Sequence, residues 1–395
     1  MAELRNALQT LGIPRIHLVF FSKTIAQPDP IGSYKSEDAV FLLKDLSGVP
    51  LERKTEEREA SMQSGGHYSE SLPIEYEPTP EYIRLFEASL EQSSGILAQA
   101  AGTVSELLLR KHGPDIVLAS LARGGTPAGV LIKRYLKQVH RLEVPHYSLS
   151  IIRGKGIDEN ALLYIRRLHP ERTVQFVDGW TGKGAIRKVL SEACAEMRRK
   201  YGLKLNDELA VLADPGRCAD AFGTREDFLI PSACLNSTVS GLISRTVLRS
   251  DLIGEEDFHG AKYYRQYSGS DLTARFIDTV SSRFEEVREE AQSAAEKLWA
   301  SPESLRPTWQ GLEDIQTIQD EFGVAETNFI KPGVGETTRV LLRRVPRVIL
   351  VDRLDNPHLK HILLLAKERG VPAEIYPHMS YSCCGIIKSV KGDQE

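Results

Sequence analysis

Asp178 ends an apolar run, 174–177, and is followed by Thr181, Gly182, Lys183 and Gly184 before an amphipathic stretch begins. This pattern predicts a buried strand, an acid at its carboxyl end, a short loop and a helix. Open α/β sheets bind ligands outside the carboxyl ends of their strands. Free N–H groups at a helix start, with the positive end of the helix dipole, attract anions. An acid beside such a cradle suits a ligand carrying both hydroxyls and phosphate, such as a sugar phosphate. The loop is not a Walker A loop: only Trp180 and Thr181 separate Gly179 from Gly182, and Lys183 precedes Gly184, not Ser or Thr.

A second cradle precedes the first. The run 116–119 leads into Arg123, Gly124 and Gly125, then Thr126 as a helix N-cap and Pro127 at the first helical position. Arg123 offers a planar fork for phosphate oxygens, and the glycines let the backbone approach a ligand. Between the cradles, Arg153 and Lys155 alternate with Gly154 and Gly156 in a cationic loop that could close over a ligand. After the next predicted strand, 209–213, Asp214 is either a base or substrate contact or a turn residue before Pro215.

These three elements occur in the order found in type I phosphoribosyltransferases, and the chain resembles that family over roughly 95–250. The resemblance implies that Arg123, Asp178 and Lys155 serve catalysis. It implies that Gly124, Gly125 and Thr126 hold pyrophosphate, and that Thr181, Gly182, Lys183 and Gly184 hold the 5′-phosphate. Arg153, Asp214, Phe228 and Ile230 would meet the substrate, and Asp178 would bind magnesium. One departure stands out: the family usually places two adjacent acids where this chain has Asp178 and Gly179.

Segments 33–48, 67–73, 223–247 and 258–278 resemble more closely the phosphoribosyltransferase of bacterial tellurite-resistance stress operons, a family often labelled cysteine protease StiP, with a pelota-like C-terminal domain. This resemblance implies magnesium-dependent transfer of ribose 5-phosphate between phosphoribosyl pyrophosphate (PRPP) and a small nucleobase-like acceptor, in either direction, within a stress response. The label itself supports a rival reading, a cysteine hydrolase. Cys234 would be its nucleophile, with His259 a short distance along the chain as its base. A third reading is a non-catalytic nucleotide sensor or RNA-binding regulator, since a fold does not fix a function.

The elements that must position these residues follow from patterning. Short apolar runs at 116–119, 147–152, 174–177, 209–213 and 228–230 alternate with amphipathic stretches, which predicts βαβ units and a largely parallel sheet. A further strand is expected at 39–43, helices at 81–112, 282–300 and 312–322, and a linker around 331–335. The tail predicts a strand at 347–351, a helix at 357–369 ended by Gly370, and a strand at 373–376. The fold class is therefore α/β, with a central parallel-sheet phosphoribosyltransferase-like domain and a smaller pelota-like α/β domain. The expected divisions are a loop-rich extension packing on the core at 1–80, the main domain at 81–300, a helix and linker at 301–337, and the small domain at 338–395.

Of 395 residues, 41% are hydrophobic and 26% charged, which is ordinary for a globular protein. The net charge of −4 gives the whole chain no polyanion footprint, although residues 339–395 carry +4, so RNA is an expected partner of the C-terminal domain alone. Five cysteines without a CxxC pair predict neither a disulfide framework nor a structural zinc site. With no visible signal peptide or membrane-length apolar run, a cytoplasmic protein is expected, with a homodimer as the default assembly.

Overall fold

The computed structural model describes residues 23–388. The N-terminal segment read for a signal peptide lies outside these residues. Among the described residues no helix is long and apolar enough to cross a membrane.

The main sheet contains β1 (Val40–Leu42), β2 (Ile116–Ala122), β3 (His146–Ile152), β4 (Thr173–Trp180), β5 (Leu209–Ala213) and β6 (Ala221–Thr224), in the order β1-β3-β2-β4-β5-β6, every neighbouring pair being parallel. A two-residue strand, Gly156–Ile157, pairs antiparallel with β3. Alternating strand residues feed opposite faces. Ile116, Leu118, Val177 and Leu212 pack on one side beneath α1 (Pro80–His112) and α2 (Thr126–His140). Val117, Leu121, Phe176 and Val211 pack on the other beneath α3 (Glu159–Leu168) and α4 (Ala185–Tyr201). Covering both faces explains why these strands read as continuous apolar runs. Because β2 and β4 are neighbours, their carboxyl-end loops emerge side by side.

Two expectations about this unit are corrected. The run 228–230 is not a strand; Ala221–Thr224 takes the sheet edge beside β5 instead. Phe228, Leu229 and Ile230 are apolar because they are buried in the main core before a 3-10 turn, and a short apolar run alone cannot separate the two cases. The helix expected over 282–300 is α6 (Arg288–Ala300), preceded by a separate α5 (Thr273–Ser281).

The region expected as helix and linker is more structured than its Gly and Pro content predicts. It holds α7 (Gln310–Glu321), β7 (Ile330–Pro332) and α8 (Val334–Arg343), so the expected boundary at 338 falls inside a helix. The remaining elements are β8 (Pro346–Val351), α9 (Lys360–Glu368), β9 (Ala373–Ile375) and β10 (Cys383–Ile387). Their sheet runs β7-β10-β8-β9, with β10 antiparallel to both of its neighbours. The protein is thus a mixed α/β structure with a central parallel sheet and a small C-terminal α/β unit.

Asp227 fastens the two units. Gly333, with φ +90°, gives α8 no capping side chain. Asp227 fills that role from across the junction: one carboxylate oxygen accepts the Val334 N–H at 2.9 Å and the other the Ser382 N–H at 2.9 Å. The Ser382 hydroxyl returns a bond to the Asp227 carbonyl at 3.0 Å. Asp227→Ala leaves two amide donors unpaired at the junction. We expect a loss of about 2 kcal/mol or more in urea unfolding, with faster proteolysis between the units; an unchanged unfolding midpoint would show that the clamp carries no stability.

Candidate functional site

The loops after β2 and β4 meet. At Gly125 any side chain would place a Cβ 2.5 Å from the Val177 carbonyl oxygen, so glycine is required there by close approach. Gly124 lies beside Asp178, its missing Cβ falling 3.7 Å from a carboxylate oxygen. Thr126 is not the cap expected of it. Gly125 is the N-cap, and the buried Thr126 hydroxyl lies 2.7 Å from Ser148 Oγ on β3.

Two cavities open on these loops. The larger, about 490 Å³, takes Arg123 from the β2–α2 loop, with Glu75, Asn236, Arg245, Tyr264 and Arg343 among its lining. The smaller, about 230 Å³, takes Asp178 and residues 181–184, with Arg153, Cys218, Lys331 and Glu336. Arg123 and Asp178 therefore lie on neighbouring loops but face different cavities.

In the smaller cavity, ionisable groups are tuned towards neutrality. Burial pushes the Asp178 carboxyl up to about 7, against one opposing hydrogen bond from the Gly179 N–H at 2.8 Å. Burial, then the charge of Lys331, lowers Lys183 to about 8. Strongly perturbed groups sharing a cavity mark candidate functional sites. The Lys183 ammonium also donates to the Thr327 carbonyl, and the Gly182 carbonyl accepts from the Tyr381 hydroxyl at 3.1 Å. The indole of Trp309 occupies the space a Gly184 side chain would need. The C-terminal unit thus covers the loop.

Other expected residues are placed differently. The Thr181 hydroxyl is spent on Asp214 at 2.6 Å. Asp214 is fully buried and also accepts from the Cys218 N–H, the Ala219 N–H and Arg225, so its carboxylate is fully engaged in holding the turn. Phe228 and Ile230 pack in the core, and the Phe228 ring meets His358 at a tilt, with centroids 6.0 Å apart. The loop of Arg153 and Lys155 is tied down, because the Tyr68 hydroxyl accepts the Arg153 N–H at 2.8 Å and His67 bonds the Arg153 carbonyl at 3.0 Å. Lys155 lines a separate cleft with Glu159, Glu192 and Glu196, away from both cavities.

The magnesium expected at Asp178 would have this carboxyl as its one nearby acid in the loop. Asp178 has no adjacent acid, and among the described residues no group of three or more His, Cys, Asp or Glu is placed to hold a metal ion.

All five cysteines are buried. The Cys234 thiol lies 3.8 Å from Ser89 Oγ, and burial pushes it up to about 11. The expected base, His259, has other partners: its ring lies 2.8 Å from Ser150 Oγ, and its backbone N–H donates to Asp158. Among the described residues no hydrogen bond joins Cys234 to His259. Cys218, which the sequence did not single out, lines the smaller cavity. Its only local signal was the turn 214–217 ahead of it. Arg245, Lys331, Glu336 and Arg343 were also missed, since each arrives from a distant segment.

Comparison with known proteins decides between the competing readings. The family model described as "Tellurite-like stress resistance cysteine protease StiP" matches residues 32–281, and the "PELOTA RNA binding domain" model matches residues 309–389. A protein of Acinetobacter baylyi named "Cysteine protease StiP" is 34% identical over 348 residues, covering 85% of this chain and 88% of that protein. These names overturn the expectation of a phosphoribosyltransferase, with its transferase class and its PRPP substrate, and favour the rival hydrolase. The two glycine-rich loops misled because an anion cradle is a property of backbone geometry and does not identify a reaction. The chain belongs to the StiP family of tellurite-like stress resistance cysteine proteases and carries a pelota-type C-terminal domain.

Proposed function

We propose that this protein is a cysteine-dependent hydrolase of peptide bonds, the activity its relative is named for, and that its chemistry lies in the smaller cavity. The observation that carries this reading is the shared lining: Cys218 is the one cysteine among the described residues to line any of the cavities described, and Asp178 lines the same one. A cysteine nucleophile needs a base, and a base works best with a pKa near the working pH. Among the described residues no histidine is hydrogen-bonded to a cysteine, and Asp178, at about 7, supplies such a group. Burial holds the Cys218 thiol protonated, up at about 12, so attack must be coupled to proton transfer. In the proposed step the thiol proton passes to the Asp178 carboxylate and sulfur bonds to the carbonyl carbon. The C–N bond breaks, the amine leaves with a proton, and water then cleaves the thioester.

Cys218→Ser should abolish cleavage of a fluorogenic peptide library, and iodoacetamide should block the wild type at Cys218. Cleavage that survives Cys218→Ser but is lost in Cys234→Ser would move the nucleophile to Cys234. A wild type with no thiol-sensitive cleavage would overturn the hydrolase reading.

The base must be ionised, so kcat/KM should rise with pH through about 7, and Asp178→Asn should remove that rise. Stability runs the other way. A raised carboxyl pKa means that ionising the buried group is unfavourable, so stability is lost as pH climbs from the ordinary carboxyl range through about 7. The melting temperature of Asp178→Asn should therefore gain on the wild type between pH 4 and 7 and hold that gain above. A constant difference across this range would contradict the assignment.

A second reading concerns the C-terminal unit alone, and the pelota match over 309–389 favours it: RNA binding there. Affinity for single-stranded RNA should fall steeply between 50 and 200 mM salt; no binding at low salt would remove it.

A further inference from the structure

The larger cavity remains unassigned by any of these readings, and its charge pattern is unusual. Arg123 and Arg343 converge on one neutral acceptor, the Asn236 amide oxygen, at 3.3 and 2.9 Å. Their other bonds go to backbone carbonyls, of Ile243 from Arg123 and of Cys234 from Arg343. Arg245 lines the same cavity; its carbonyl accepts from the Ser244 hydroxyl, but its guanidinium has no hydrogen-bond partner among the described residues. Two acids also line it; neither forms an ion pair with these arginines, though the Glu75 charge is felt by Arg123. Glu75 accepts from the Ser237 N–H at 2.9 Å and hydroxyl at 2.7 Å, and Glu77 accepts from the Ser270 hydroxyl. Three guanidiniums thus share a concave space with no carboxylate paired to any of them.

Like charges gathered at a partly desolvated site repel one another unless an anion joins them. The remaining wall is apolar and aromatic, with Leu72, Ile74, Pro78, Leu235, Tyr82 and Tyr264. A volume of about 490 Å³ falls within the range of small-molecule sites. Guanidinium forks suit carboxylate and phosphate equally.

We propose that this cavity binds a small organic anion, a carboxylate or phosphate carried on an aromatic or aliphatic body, with Arg245 as its principal cationic contact. The head group sits among Arg123, Arg245 and Arg343, and the body lies against the tyrosine and leucine wall. The site is independent of the Asp178–Cys218 cavity and of any hydrolytic activity. It draws on both units, since Arg343 ends α8.

The test is calorimetric titration of the full-length protein with 3-phenylpropionate and phenyl phosphate, beside neutral 3-phenylpropanamide and inorganic phosphate. Both organic anions should bind one to one. The amide and inorganic phosphate should bind at least tenfold more weakly. Arg245→Gln should lower affinity for the organic anions by roughly ten- to hundredfold, the value of one or two charge-assisted hydrogen bonds. Lys183→Gln, in the other cavity, should change it less than twofold. Arg343→Gln gives a second reading should Arg245→Gln fail to fold. Failure of both organic anions to bind, equal binding of the amide, or undiminished binding in the folded Arg245→Gln protein overturns the site. Inorganic phosphate binding as well as phenyl phosphate overturns the organic part of the ligand class.

Discussion

The buried carboxylate of Asp214 holds the arrangement together. One of its oxygens accepts from the Thr181 hydroxyl and the Cys218 and Ala219 N–H groups, and the other from Arg225. That single residue fixes the loop after β4 against the turn after β5. Thr181 hands the constraint on by accepting the Gly216 N–H at 3.2 Å. The turn is in turn the landing point for the second unit: Gly216 accepts from the Gly311 N–H, and Arg217 from the Thr308 and Trp309 N–H groups. Arg225, the partner of Asp214, also donates to Ser304. A fully buried acid would be destabilising if left unsatisfied, and here three neutral donors and one guanidinium distribute its charge. The side chain read as either a catalytic group or a turn residue is thus the point on which cavity shape and unit docking both depend.

The C-terminal unit is accordingly part of the site. Its β7 and α8 bring Lys331 and Glu336 to the smaller cavity and Arg343 to the larger. Asp227 and the 214–219 turn set the pose of α8, so both cavities are shaped by contacts remote from their own linings. Lys183, with its ammonium on Thr327 of this unit, ties the orientation of the phosphate-like loop to the same junction.

Much of the frame was legible because it is local. The runs that became β2, β3, β4 and β5 carry their apolar signal within a few residues, and the glycine-rich turns mark their carboxyl ends. What escaped was tertiary. Phe228 to Ile230 look like a strand because a buried junction demands the same residues. The segment around Gly333 and Gly335 looks like a linker, yet it starts a helix whose cap comes from Asp227, more than 100 residues away. β10 reads as Cys-Cys-Gly-Ile-Ile and gives only a weak alternating signal, but it sits in the middle of its sheet. Cys218, Arg245 and Arg343 gain their meaning only from the spaces they line.

The fate of Gly179 shows how a family expectation and a packing constraint can be confused. A glycine there looks like a lost carboxylate when the loop is read as a motif. In the fold, a Cβ at Gly179 would lie 3.2 Å from the Gly124 carbonyl oxygen, tighter than most such contacts. The two loops approach so closely that a side chain at this position would need its neighbour to give by a few tenths of an ångström. Glycine suits this juxtaposition, and the acid beside it stands alone. The Asp178 carboxyl receives one backbone hydrogen bond, from the Gly179 N–H, and little solvent. The same isolation lets burial dominate and brings Asp178 to a pKa at which it can take up and release a proton near neutral pH.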